Sequence, residues 1–90
     1  MISQGKKKGT IRFAVKPETS VKKVMIAGTF NNWQPETMRK QKNGEFVKNI
    51  ELAEGSHQYK FITDGQWIND PDNNDCVYNE HGSLNSVATV

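Results

Sequence analysis

Two tryptophans stand in stretches otherwise made of turn residues. Trp33 lies in Gly28-Thr29-Phe30-Asn31-Asn32-Trp33-Gln34-Pro35, and Trp67 closes Asp64-Gly65-Gln66-Trp67. A tryptophan on a strand is usually core. On a polar turn it is often exposed, and a large exposed apolar ring implies a contact to be made. Flat indole faces beside amide and lysine side chains suit a sugar. The ring's C–H face packs on the aromatic plane, while amides and ammonium groups bond its hydroxyls. One-sided stacking covers about half of an indole and contributes ~1–3 kcal/mol. Two such platforms, less the ordering cost, imply roughly micromolar to millimolar affinity. The competing reading is that one tryptophan folds inward as a core plug, and spacing alone leaves both readings open.

Other chemistries have weaker support. The two histidines, His57 and His81, and the single cysteine, Cys76, are dispersed along the chain. They match neither a nucleophile–base constellation nor a tight zinc spacing. His57 sits in a strand pattern beside Tyr59, where a structural role is expected. His81 lies in a polar turn, where a surface role and a ligand-contacting role are both open. Asp70, Asp72 and Asn74 space oxygen ligands like the start of a calcium loop. The required glycine is instead Asp75 and the closing glutamate is His81, so an EF-hand is excluded. An Asx turn ahead of Pro71 is the expected role of that stretch. Lys8-Gly9-Thr10-Ile11-Arg12-Phe13 faintly suggests an oligonucleotide-binding barrel, but a formal net charge of +2 is too small for strong backbone binding. No metal, cofactor, nucleic-acid or membrane partner is expected.

The elements that must position the tryptophans read as strands. Thr10–Val15 alternates, with Ile11, Phe13 and Val15 on one face. Val21–Ala27 is a second strand running into the Trp33 turn. Met38 anchors an irregular segment over residues 35–42, with a helical turn at 35–40 as the lesser alternative. Asn43-Gly44 signals a two-residue type I′ hairpin. In Glu45–Leu52, Phe46, Ile50 and Leu52 share a face that Lys48 interrupts, which puts Lys48 near its edge. Ser56–Thr63 places Tyr59 and Phe61 on one face and Gln58, Lys60 and Ile62 on the other. Asp64-Gly65 is another tight turn, leading to Gln66-Trp67-Ile68. A polar tract extends over residues 69–80, broken by Cys76-Val77-Tyr78. A last strand is expected near residues 84–90, with its buried face ambiguous. Six to eight short strands with turns every eight to twelve residues read as an antiparallel β-sandwich, with a small barrel second.

Ninety residues form one small domain, and 34% hydrophobic content makes its core thin. One cysteine permits no intrachain disulfide and fits a reducing compartment. Residues 1–9 are polar and basic and read as a disordered start, with the domain over 10–90. Lys6-Lys7-Lys8 and Lys22-Lys23 read as solvated clusters that resist aggregation. No apolar run comes after the basic start, so neither a signal peptide nor a span is read, and a cytoplasmic location is expected.

Three motifs together resemble a known family. Val24-Met25-Ile26-Ala27-Gly28-Thr29-Phe30-Asn31-Asn32-Trp33, then Leu52-Ala53-Glu54-Gly55-Ser56-His57-Gln58-Tyr59-Lys60-Phe61-Ile62-Thr63-Asp64-Gly65-Gln66-Trp67, then Asp70-Pro71, resemble carbohydrate-binding module family 48. The likeness is in particular to the glycogen-binding domains of AMP-activated protein kinase β-subunits. It covers roughly residues 10–90. It implies an immunoglobulin-like β-sandwich that binds α-1,4-linked glucans such as glycogen, starch and maltooligosaccharides without catalysis. The resemblance places glucose stacking on Trp33 and Trp67 and hydroxyl contacts on Lys60 and Asn85. Ser83 stands where the family has a threonine and keeps the hydroxyl. His81 stands where the family has a leucine packed on the glucan, a departure that bears on affinity or chain preference. Some members pack against other domains and bind no glycan. The alternative is therefore a protein-interaction module that docks onto a carbohydrate-active enzyme or a kinase.

Overall fold

The computed structural model describes residues 2–4, 9–18, 20–80 and 82–90. Ten strands occur in order: β1 (Ile2–Gln4), β2 (Thr10–Val15), β3 (Val24–Gly28), β4 (Glu36–Thr37), β5 (Arg39–Lys40), β6 (Phe46–Glu51), β7 (Ser56–Thr63), β8 (Gln66–Ile68), β9 (Cys76–Tyr78) and β10 (Leu84–Thr89), with a short 3-10 turn over Thr29–Asn31. They form two antiparallel sheets. One has the order β1-β2-β6-β5; the other runs β4-β3-β7-β10-β9, with β8 also pairing β7. The antiparallel β-sandwich expected from the alternation is the fold.

The inner faces result from period two. Phe13 on β2 and Tyr59 on β7, from opposite sheets, meet edge to face with centroids 4.9 Å apart. Phe61 continues the contact from Tyr59 at 5.6 Å. Such pairs contribute about 0.5–1.5 kcal/mol beyond the area they bury. Ile11, Val15, Val24, Ile26, Phe46, Leu52 and Ala88 complete the layer. Met38 is buried where the chain leaves β4 in one sheet for β5 in the other, and its N–H donates to the Val24 carbonyl at 2.9 Å. That is the anchoring role expected of it. No helix forms over 35–40. Lys48 faces inward by register opposite Phe13, but its Nζ reaches Glu36 at 3.7 Å near the rim. The aliphatic stem covers apolar surface while the charge stays wet.

Three expectations change. Ile2–Gln4, assigned to a disordered start, pairs with Ile11–Phe13 of β2. Ladder bonds belong to the backbone, so a polar sequence can complete an otherwise open edge. The Lys6-Lys7-Lys8 cluster lies outside the described residues. The strand count exceeds eight because β4, β5 and β9 are too short to show a period. The Asn43-Gly44 hairpin is not type I′, since only Gly44 has positive φ. Gly44 N–H donates to the Gln41 carbonyl at 3.1 Å, and Gln41 N–H donates to the Glu45 carbonyl at 2.7 Å. This is a three-residue loop whose last residue is left-handed. The Asn43 side chain accepts from Glu45 N–H at 2.9 Å, which an Asx turn supplies in place of a left-handed backbone.

Candidate functional site

Strand β7 separates core from surface by alternation. Tyr59 and Phe61 enter the core, while Gln58, Lys60 and Ile62 share the outer face of the larger sheet. There the register sets Lys60 beside Ala27 of β3, Gln58 beside Val87 of β10, and Ile62 between Met25 of β3 and Trp67 of β8. Ile62 is buried, so it gives the Trp67 indole an apolar neighbour; Trp67 as a residue remains 46% exposed. The Asp64-Gly65 turn that delivers Trp67 has φ of 46° and 89°, the two positive values of a type I′ hairpin. The Asp64 carboxylate also accepts the backbone N–H groups of Lys22 and Lys23 at 2.9–3.2 Å, tying the turn to the start of β3.

The Trp33 turn is built differently. Asn32 and Trp33 are consecutive left-handed residues, with φ of 57° and 60°. Asparagine adopts this region readily. A bulky residue there costs about 1–3 kcal/mol and persists only when its surroundings over-determine it. They do so here. Asn31 Oδ1 accepts Gly28 N–H at 2.9 Å, and Asn31 Nδ2 donates to Glu36 at 2.7 Å. Trp33 N–H donates to the Gly28 carbonyl at 2.9 Å. Thr29 Oγ1 accepts Gln58 N–H at 3.2 Å, and the Phe30 ring packs on Phe13. Gly28 itself is extended, with φ of −169°, so its requirement is space and not handedness. A Cβ there would meet the Gln58 carbonyl oxygen and come within 2.5 Å of the Phe30 ring. Trp33 is half-buried, which puts it against the surface and not in the core.

The third contribution comes from the start of β10 and the turn before it. Asn85 is only 4% exposed. Its Nδ2 donates to Gln58 Oε1 at 2.9 Å, and its Oδ1 accepts from Asn79 at 3.4 Å. Asn79 clamps the turn: its Nδ2 donates to Ser83 Oγ at 2.6 Å, and its Oδ1 accepts Ser83 N–H at 3.1 Å.

These elements enclose an open depression of about 580 Å³, lined by Trp33, Gln58, Lys60, Trp67, Tyr78, Asn79, Glu80 and Asn85. Four of the site residues expected from sequence therefore meet: Trp33, Lys60, Trp67 and Asn85. Ser83 is not in the lining; it holds Asn79, which is. His81 lies outside the described residues. The sequence assigns no role to Gln58, Tyr78, Asn79 or Glu80. Gln58 was readable from its shared parity with Lys60, and Tyr78 from being the one aromatic in a polar tract. Nothing local marked Asn79 or Glu80.

A buried polar network holds the return path from Trp67. Tyr59 Oη donates to Asp70 at 2.7 Å and accepts from Asn73 at 3.0 Å, and Ser86 Oγ accepts Asp70 N–H at 2.8 Å. Burial pushes the Tyr59 phenol far above its ordinary range; the Asn73 hydrogen bond opposes this and Asp70 adds to it. Asp70 Oδ1 accepts Asp72 N–H at 3.0 Å, the expected Asx turn. Its oxygens thus serve the protein's own donors, and no group of three metal-ligating side chains occurs among the described residues. His57 Nε2 lies 2.7 Å from the Ala53 carbonyl, in the structural role expected of it.

The sequence profile described as the glycogen recognition site of AMP-activated protein kinase matches residues 11–90. The chain belongs to this family. That agrees with the resemblance carried by the three motifs. Similar relatives include 5'-AMP-activated protein kinase subunit beta-2 of Mus musculus and of Homo sapiens, each 41% identical over 69 residues, or 77% of the chain and 25% of the relative. Subunit beta-1 of Sus scrofa is also 41% identical, with 55% of the relative covered. The module thus spans about a quarter of the length of the beta-2 relatives. Its fold also matches part of a putative alpha amylase from Salmonella typhimurium, with a TM-score of 0.75 and 20% identity, over 97% of the module and 14% of that chain. A maltogenic amylase from S. marinus gives a TM-score of 0.74 at 22% identity, over 90% and 13%.

Proposed function

We propose that this module binds α-1,4-linked glucans noncatalytically, through the depression on the outer face of the larger sheet. One observation carries this reading: Trp33 and Trp67, from different turns, line one depression together with the Lys60 ammonium and the amides of Gln58 and Asn85. Indole faces stack on the apolar faces of glucose rings, and the amides and ammonium bond the equatorial hydroxyls. The Asn85–Gln58 bond holds those amides in place before a ligand arrives, which lowers the ordering cost. The lining contributes a single carboxylate, Glu80, whereas hydrolysis of a glycosidic bond by acid–base catalysis uses a pair. Family membership supports glycogen as the polymer, and the matched kinase β-subunits support a kinase as the larger context. With such a partner the module would work in the cytoplasm.

Titration with maltoheptaose, followed by tryptophan fluorescence, tests the reading. The emission is expected to shift on binding, and a glycogen affinity gel to retain the protein. Trp33→Ala and Trp67→Ala should each weaken binding by about tenfold or more, with thermal stability little changed. A silent titration together with free passage through the gel would leave the module as a docking unit only.

A further inference from the structure

The turn before β10 fixes the orientation of three side-chain amides in series. The Ser83 backbone N–H can only donate, and it donates to Asn79 Oδ1 at 3.1 Å. That leaves Asn79 Nδ2 to donate, to Ser83 Oγ at 2.6 Å and to Asn85 Oδ1 at 3.4 Å. The last of these is long, but a reversed Asn85 would set two NH2 groups against each other. Asn85 Nδ2 is therefore directed at Gln58, whose Oε1 accepts it at 2.9 Å. An amide has one oxygen and one NH2, so Gln58 is left with the N–H groups of Nε2 for a partner outside the relay. Asn85 is buried, whereas Gln58 is half-buried and lines the depression. The Gln58 backbone is held as well, because its N–H donates to Thr29 Oγ1 in the Trp33 turn.

We propose that Gln58 Nε2, aimed by this relay, is a sugar-binding donor that acts beside the Lys60 ammonium, so that glucose oxygens accept at this part of the site. Gln58 and Lys60 share the outer face of β7 and both line the depression. An ammonium has donors only, so the two side chains present the same polarity. Asn79 and Asn85 act on this contact as positioning residues, and the Ser83 N–H sets the direction of the whole series. None of the contacts implied by the family resemblance falls on Gln58. The inference rests on the glucan-binding reading and adds the polarity of its hydrogen bonds.

Isothermal titration of the full chain with maltoheptaose decides it. Gln58→Glu keeps an acceptor for Asn85 but loses the donor, and should bind about three- to tenfold more weakly, the loss of one hydrogen bond. Asn79→Asp still accepts the Ser83 N–H but cannot donate to Asn85. The Asn85 and Gln58 amides then reverse, and Gln58 offers Oε1 in place of Nε2. This variant should also bind about three- to tenfold more weakly, with Gln58 itself untouched. Gln58→Met has no amide to reverse, so adding Asn79→Asp to it should leave its affinity unchanged. Gln58→Glu or Asn79→Asp binding as tightly as wild type overturns the inference. Equal weakening by Asn79→Asp in the wild-type and Gln58→Met backgrounds also overturns it, because Asn79 then acts on the turn and not through Gln58. In each of these cases wild-type binding leaves the glucan reading standing. A wild-type protein that does not bind maltoheptaose overturns that reading, and this inference with it.

Discussion

The two turns that present tryptophan reach the same depression by different means. The Trp33 turn is held by its own residues: Asn31 bonds both Gly28 and Glu36, and two consecutive left-handed residues bring the indole round. The Trp67 turn has one side-chain tie of its own, the Asp64 carboxylate on Lys22 and Lys23 N–H. Asp64 and Gly65 form a minimal hairpin, and the ladder to β7 sets Trp67 opposite Ile62. The segment beyond Trp67 is secured from elsewhere, by Tyr59 and Ser86 on Asp70. An irregular platform has to be specified locally, because no ladder repeats it. A platform on a strand inherits its position from the sheet.

That contrast can be broken at several points. The largest effect should come from Gly28→Ala. The added methyl meets both the Gln58 carbonyl and the Phe30 ring, and overpacking of this kind costs up to about 3 kcal/mol. Urea denaturation should show the loss; a variant as stable as wild type would mean that this close approach does not set the turn.

Tyr59→Phe should cost about 2 kcal/mol, because Asp70 and Asn73 lose a buried partner. The same variant carries a pH signature. Tyr59 has a folded-state pKa raised above the unfolded value of about 10, so the stabilising contribution of its neutral form is full below pH ~10 and is lost as pH rises beyond it. The stability gap between wild type and Tyr59→Phe should therefore narrow from about pH 9 to about pH 11. A gap constant over that range would contradict the assignment.

Asn31→Ala should cost about 1–2 kcal/mol and also weaken glucan binding, since the same side chain braces the turn and presents Trp33. Binding that survives intact would show that Phe30 and Gly28 suffice to present the ring. The smallest change is expected at Asp64→Asn. Asparagine tolerates the positive φ and keeps one oxygen for Lys22 and Lys23 N–H; the charge and the longer 3.2 Å bond from Lys22 to the second oxygen are lost, so about 1 kcal/mol should disappear on thermal denaturation. A larger loss would mean that the second turn, too, depends on its own side chains.

Legibility divided along the same line. The strands that face the core on one side only, β2 and β7, were readable from alternation, and Asp64-Gly65 declared its turn type by composition. The Asn43-Gly44 turn had an equally strong signal and yet became a three-residue loop. The difference is that the Gln41–Glu45 pairing, not the dipeptide, sets its length. β10 was ambiguous because its inward face carries Ser86, which is wholly buried, and its outward face carries Asn85, which is also buried. Both polar side chains are satisfied by partners distant in sequence, Asp70 for one and Gln58 for the other, and no hydropathy pattern anticipates such bonds.

The amino-acid sequence alone determined that the fold is a β-sandwich, that its core is thin and aromatic, and that two indoles sit in polar turns. Alternation, turn chemistry and composition are local properties and can be read from neighbouring residues. Only the tertiary structure decided that Trp33, Lys60, Trp67 and Asn85 share one depression, and that one tyrosine is a buried hydrogen-bonding peg while the other stands exposed on the edge strand. Those outcomes depend on register between strands far apart in the chain, where a slip of one residue would send every side chain to the opposite face.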